Sequence, residues 1–321
     1  MPDGRQFEAM KKTLLFVAIG LVSGANTPFW GFYAHQKINR MAVFTLPPAM
    51  IPFYKHHIDF LSATAVNADR RRYVVEKEAA RHYLDLDHYA DTTELPHYWA
   101  AAVERLPADT LEAHGILPWH IYTMYLRLRH AFMVRDPQSI LRVSADLGHY
   151  IGDAHVPLHT TRNYNGQLTG QEGIHGFWES RLPELFSEQY DYLVGPALYI
   201  ENPQETAWQI IHDSHAHVGD VLRLEAELAR RYGERRFSFE TRGRATVRVY
   251  AEEYSRVYHQ RLAGMVESRL RASIIMTGSF WYTAWVDAGQ PDLGVLLEYT
   301  PSEEELEERK AAVKALRGHV E

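Results

Sequence analysis

The sequence predicts an all-α protein, a single large multi-helix domain with a metal-cluster cleft. Apolar residues recur at three-to-four spacing through most of the chain from Ala34 onward. Alternation of the strand type is almost absent, and prolines fall where helices would open or stop. The third observation is a set of histidine and acid pairs four residues apart, which a helix stacks on one face.

Taken in order, the periodicity predicts helices over residues 38–45, 51–65, 98–106, 116–133 and 137–151. Pro47 and Pro48, Pro96, Pro107, Pro118 and Pro137 punctuate them. Two longer helices are expected over 203–228 and 241–277, the second with arginine and glutamate on a solvated face. A Ser302 cap, an acidic first turn and closing Lys and Arg residues predict a helix in the tail, 294–321, outside the core. The hydrophobic fraction of 46% shows no break along the 321 residues, so one domain over 26–293 is the simplest reading.

The N-terminus reads as a secretory signal over 1–25. Met10 and two lysines precede the apolar run 14–22, and Ser23, Gly24 and Ala25 supply a cleavage region; Met10 is a second candidate start. The run is short for a membrane span. A secreted or periplasmic protein is therefore expected. The chain has no cysteine, so after export its stability must come from the core and from any bound metal. The formal charge of −7 gives no overall attraction for nucleic acid or anionic lipid, and an anionic substrate would need local positive charge such as bound zinc.

The chemistry concentrates between residues 149 and 179. His149 and Asp153 form one pair and His175 and Glu179 another, with His159 between them beyond a Pro157-Leu158 turn that redirects the chain. One such pair is common in a chain with eighteen histidines; two, separated by a turn and the loop 163–170, point to metal. Without thiolates, any such site is built of imidazole and carboxylate, a donor set that leaves zinc Lewis-acidic enough to ionise water.

These residues resemble the superfamily that joins bacterial zinc-dependent phospholipases C with the single-strand-specific zinc nucleases of fungi and plants. The likeness runs from about Trp30 to Leu293 and is most specific in His149-x3-Asp153-x5-His159 followed by His175-x3-Glu179. It implies two to three Zn2+ ions in a cleft of a helical domain. Asp153 would bridge the zinc of His149 to a neighbour, and His159, His175 and Glu179 would hold another. Trp30-Gly-Phe-Tyr-Ala-His35 is similar to the start of mature family members, whose tryptophan gives its amino nitrogen and carbonyl oxygen, and whose nearby histidine gives its ring, to a zinc. A cut after Ala25 would leave four residues ahead of Trp30. Asp69 and His82 resemble the remaining ligands of the zinc that His149 serves, with Asp85 or Asp87 as substitutes for Asp69. His155 and the other histidines are expected at the surface or supporting the ligands.

By this resemblance the chain hydrolyses a phosphate ester. Two zincs sharing Asp153 would ionise a water for in-line attack on phosphorus, with Asp153 and Asp69 as catalytic carboxylates. Arg72 is the expected phosphate-steering residue, and Tyr83 and Asp85 are expected to contact the rest of the substrate. The substrate is a phospholipid or single-stranded nucleic acid, and no protein partner is indicated. Glu179 and the missing cysteines resemble the phospholipase side, and a phospholipase C-like enzyme is the expected type; the 163–166 loop and Trp178 resemble the nuclease side, which is the alternative. A non-catalytic exported zinc-binding protein is the alternative of another class. A di-iron or haem bundle is disfavoured, because it would call for Glu-x-x-His pairs on opposed helices.

Overall fold

A computed structural model describes residues 31–89, 95–243 and 245–297, with positions 299, 303, 304 and 307. The expected signal, Trp30 and most of the tail lie outside these residues. The chain is helical, as the periodicity predicts, with one small hairpin.

The chain enters through α1 (Gly31–Ala42) and a 3-10 turn at Val43–Thr45. Next come α2 (Ile51–His56), α3 (Ile58–Thr64) and α4 (Asn67–Arg71). The single helix expected over 51–65 is broken at His57, whose φ of −104° and ψ of 16° leave the helical region. The kink lets Phe53 and Tyr54 on one side and Phe60 and Leu61 on the other reach the same core. Two 3-10 turns, Ala79–His82 and Leu86–His88, lead to α5 (Trp99–Arg105) and α6 (Ala108–Ala113).

The long pair α7 (Leu117–Met133) and α8 (Pro137–Ala154) forms the centre. Asp136 starts α8 by accepting the backbone N–H groups of Gln138 at 3.1 Å and Ser139 at 3.2 Å, and Pro137 takes the first helical position, where no N–H is needed. Beyond α8 come α9 (Ile174–Gly176), a π-helical turn at Phe177–Arg181 and α10 (Leu182–Phe186). An extended stretch then leads to α11 (Pro203–His215) and α12 (Val218–Tyr232), where the sequence predicts a single helix. The break at Ala216 and His217 points the apolar face of α12, through Val221 and Leu228, into a second core.

The long helix expected over 241–277 is also corrected. Residues 237–250 form an antiparallel hairpin, β1 (Phe237–Arg242) and β2 (Ala245–Tyr250), with Phe237 opposite Tyr250 and Arg242 opposite Ala245. Gly243, at φ +58°, supplies the left-handed residue that a two-residue hairpin loop requires. After α13 (Glu252–Arg261), Ala263 at φ +49° and Gly264 at φ +81° reverse the chain into α14 (Met265–Asp287).

Two apolar clusters result. One surrounds Leu128, Phe132, Leu147, Tyr150, Trp208 and Trp281; the other surrounds Leu158, Phe177, Val221, Tyr254 and Tyr258. Ala154 belongs to the first and Val156 to the second, so the chain crosses the seam between them where α8 ends. Asn39 ties the seam on the α1 side, donating from Nδ2 to Leu61 O at 3.2 Å and to Ala145 O at 3.0 Å. Leu296 and Leu297 still pack against the first cluster, a few residues past the expected domain end, and the described tail positions 303, 304 and 307 are helical and exposed. Among the described residues no helix is long and apolar enough to cross a membrane.

Candidate metal centre

The C-terminal end of α8 places His149 and Asp153 one turn apart and fully buried. Their spacing brings His149 Nε2 to 3.2 Å from Asp153 Oδ2. The 3-10 turn at Ala79–His82 delivers His82 to the same point, with Nδ1 2.8 Å from Asp153 Oδ2 and 3.1 Å from His149 Nε2. Asp69, on α4, approaches both imidazoles, its Oδ1 lying 3.8 Å from His82 Nδ1 and 3.8 Å from His149 Nε2. The other carboxylate oxygen of Asp153 turns to α1, where His35 Nε2 lies 3.3 Å from Oδ1. Asp153 therefore faces two ligand groups, one with each oxygen.

Pro157 ends α8 and leads into the 3-10 turn Pro157–Thr160, which aims His159 at the second histidine–acid pair. His159 Nδ1 donates to His82 O at 2.5 Å, which fixes the tautomer and leaves Nε2 as the free donor atom. That Nε2 lies 3.0 Å from His175 Nε2 and 3.2 Å from Glu179 Oε2, and His175 and Glu179 are 2.7 Å apart. His175 lies on the short α9, and Glu179 on the π-helical turn that follows it. Such turns recur at functional sites because the extra residue re-aims side chains.

These separations fit a cation. Two unprotonated imidazole nitrogens 3.0 Å apart repel each other unless a proton or a metal ion lies between them. Four ligands at about 2.0–2.1 Å from zinc form a tetrahedron with edges of about 3.3 Å, close to most of the contacts in both groups. Three sets of atoms, each within 4.8 Å of one another, have the makings of a metal site: His35, Asp69 and His149; His82, His149 and Asp153; and His159, His175 and Glu179.

The electrostatics have the same sign. Burial works against ionisation of Asp153, yet His149 and His159 outweigh it and hold the carboxyl well below its usual range. Glu179 is partly buried, and His175 and His159 hold its carboxyl well below the usual range against that burial. Burial opposes charge on His159 too, but Asp153 and Glu179 raise it to about 9. His82 is raised against its burial by Asp153 and Glu78. The cluster as built calls for positive charge.

A cleft of 1290 Å³ is lined by Asp69, His82, His159, His175 and Glu179, with His149 and Asp153 buried outside its lining. Arg72, Tyr83 and Asp85, the residues expected to meet substrate, all line it. Arg72 Nη1 is 3.8 Å from Asp69 Oδ1. The Tyr83 hydroxyl donates to Ala113 O at 3.2 Å. Burial, then the charge of Asp87, raises the Asp85 carboxyl to about 6. Beside Arg72, Arg70 lies over the Phe32 ring and Arg71 pairs with Asp146 at 3.0 Å. His155, expected at the surface, is buried and donates from Nδ1 to Ile151 O at 2.7 Å, with burial lowering its pKa to about 3. Trp30 lies outside the described residues.

Sequence reasoning missed one wall of the cleft. Phe237, Arg242, Arg248 and Tyr250 of the hairpin line it, as do Arg162 and Tyr164. The signal was present in the alternation Phe237-Ser-Phe239 and Val247-Arg-Val249 on either side of Gly243. It also missed Glu78, whose spacing to His82 repeats the four-residue rule in reverse.

No family model matches this sequence, and no curated protein matches it significantly. What the fold and the site define is a helical protein with buried His, Asp and Glu groups suited to hold metal ions.

Proposed function

We propose that this chain is a zinc-dependent phosphodiesterase, exported through its N-terminal segment. The observation that carries this reading is Asp153, a buried carboxylate with one oxygen toward His35 and the other toward His82 and His149. His82, His149, Asp153 and Asp69 would hold one ion, His159, His175 and Glu179 another, and His35 with Asp153 part of a third shell. Bound zinc supplies Lewis acidity and an ionised water at neutral pH.

The protein's own groups would do the rest. Asp69 borders the cleft and is placed to accept the proton of an attacking water. Arg72 would steer and neutralise the phosphoryl oxygens. Tyr83, its hydroxyl tied to Ala113 O, presents a fixed ring for stacking. Asp85 would accept hydrogen bonds from substrate N–H or O–H groups.

The cleft lining supports single-stranded nucleic acid over lipid, because it combines Tyr83, Tyr164, Phe237 and Tyr250 with Arg72, Arg162 and Arg248. Aromatic faces that take bases and guanidiniums that track a phosphate chain are what such a strand needs. The phospholipase C reading is favoured instead by Glu179 in the last ligand position. A closed zinc-storage site fits less well, since Asp69 and His175 have side chains 24% and 25% exposed toward the cleft, leaving room for water and substrate. The test is hydrolysis of bis-nitrophenyl phosphate, single-stranded DNA and lecithin micelles, each with chelator and with zinc restored. Tight zinc without turnover of any ester would overturn the enzyme reading, and lecithin cleavage alone would reverse the substrate preference.

A further inference from the structure

Behind the His82 and His149 group lies a charge network that the proposed chemistry does not use. Glu78 is fully buried, with no exposed side-chain surface. It accepts from the Tyr150 hydroxyl at 2.5 Å and from Arg71 Nη2 at 3.4 Å, and it pairs with Arg81. Arg71 reaches on to Asp146 at 3.0 Å and to the Tyr150 hydroxyl at 3.2 Å. Two arginines thus balance two carboxylates in a largely buried setting, an arrangement too costly in desolvation to be expected for stability alone.

The network touches every segment that carries a ligand of this group. Arg71 belongs to α4, as does Asp69; Asp146 and Tyr150 belong to α8, as do His149 and Asp153. Glu78 immediately precedes the 3-10 turn that ends in His82. His82 Nε2 is buried without a hydrogen-bond partner, and Glu78 Oε1 lies 3.8 Å away. That separation is too long for a hydrogen bond, so the influence in this geometry is electrostatic.

We infer that Glu78 is the positioning residue of this metal group: it holds His82 as the Nε2–H tautomer, with Nδ1 turned to the metal, and through Arg71 locks α4 to α8. The inference rests on the metal reading above. Ligand imidazoles depend on such partners, whose removal costs about 10–100-fold in metal affinity.

The test measures zinc affinity of the full chain by competition with a chromogenic chelator, in a His175→Ala background that removes one ligand of the other group and isolates this one. Glu78→Gln keeps the shape and removes the charge. Zinc binding about 10–100-fold weaker there, with the His159, His175 and Glu179 group unchanged when Glu78→Gln is made alone, supports the inference. Unchanged affinity overturns it. So does an equal weakening of both groups accompanied by a lower melting temperature of the zinc-free protein, which would mark a merely structural role. Should Glu78→Gln not fold, Tyr150→Phe removes one hydrogen bond and keeps the charge, and about 2–10-fold weaker binding at the same group is expected; no change overturns the inference. A wild-type chain that takes up no zinc overturns the metal reading itself.

Discussion

Gly152 is the residue against which the ring of His35 packs, and replacing it tests whether His35 is a ligand. An alanine Cβ there would lie 2.8 Å from His35 Nδ1, 3.0 Å from Cε1 and 3.2 Å from Ile38 Cδ1, where ordinary contact begins at 3.4 Å. The ring would have to move by about 0.6 Å, and it is backed by the His149 ring with centroids 4.0 Å apart. Overpacking of this kind costs about 1–3 kcal/mol, while alanine in a helix interior returns about 1 kcal/mol. Stability of the zinc-free protein should therefore fall by about 0–2 kcal/mol. Metal binding should suffer more, because ligand positions tolerate only about 0.2 Å. If the strain relaxes without metal and must be restored on binding, 1–3 kcal/mol corresponds to roughly 5- to 150-fold weaker binding of the ion that His35 serves. Zinc titration with a competing chelator, alongside thermal unfolding of stripped protein, reads both effects. A Gly152→Ala protein that binds as many zinc ions as tightly as the wild type would show that His35 is a packing residue.

Other consequences follow from the same geometry. Stripping zinc should lower the melting temperature by roughly 5–10 °C per ion, since a ligand at 100 times its Kd contributes about 2.7 kcal/mol and a domain of this size shifts by about 2–4 °C per kcal/mol; a scan unchanged by chelator would count against any structural metal. Asp153→Asn should abolish phosphodiester hydrolysis, at least about 100-fold, with helical circular dichroism retained; preserved turnover would remove the bridging role. Asp85 has its carboxyl raised from 3.8 to about 6, so its neutral form contributes stability present below 3.8 and lost as pH rises through 6. Asp85→Asn should thus stabilise the protein by about 1–2 kcal/mol above pH 6, after allowance for solvent access, and the gain should vanish toward pH 4 in urea unfolding. Arg181, nearly buried, pairs with Glu184 and Glu240 and anchors the hairpin. Glu184 and Glu240 are partly exposed and keep Arg242 as a partner, so Arg181→Ala should cost about 1–3 kcal/mol, and an unaltered urea midpoint would refute that.

The helical class and the ligand pairs were legible because both rest on spacing along one helix. His149 with Asp153 and His175 with Glu179 meet for the same local reason that apolar stripes form. Pro157 announced the turn that brings in His159. The errors lie where the chain trades local pattern for packing. His57, Ala216 and the pair Ala263 and Gly264 interrupt stretches whose periodicity is continuous, because each break lets the next segment fill one of two cores. The hairpin was hidden by its arginines and glutamate, which read as a solvated helix face although they pair with Glu184 and Arg181 across the molecule.

By itself, then, the sequence determined a mostly helical chain and which side chains are chemically fit to grip a metal, since propensity, helical period and donor type are properties of near neighbours. Tertiary structure alone decided that Asp153 turns its two oxygens to different helices, that Glu78 stands behind His82, and that a hairpin distant in sequence walls the cleft. Those outcomes depend on how two cores settle against each other at the end of α8, and distances between remote segments are set by that packing.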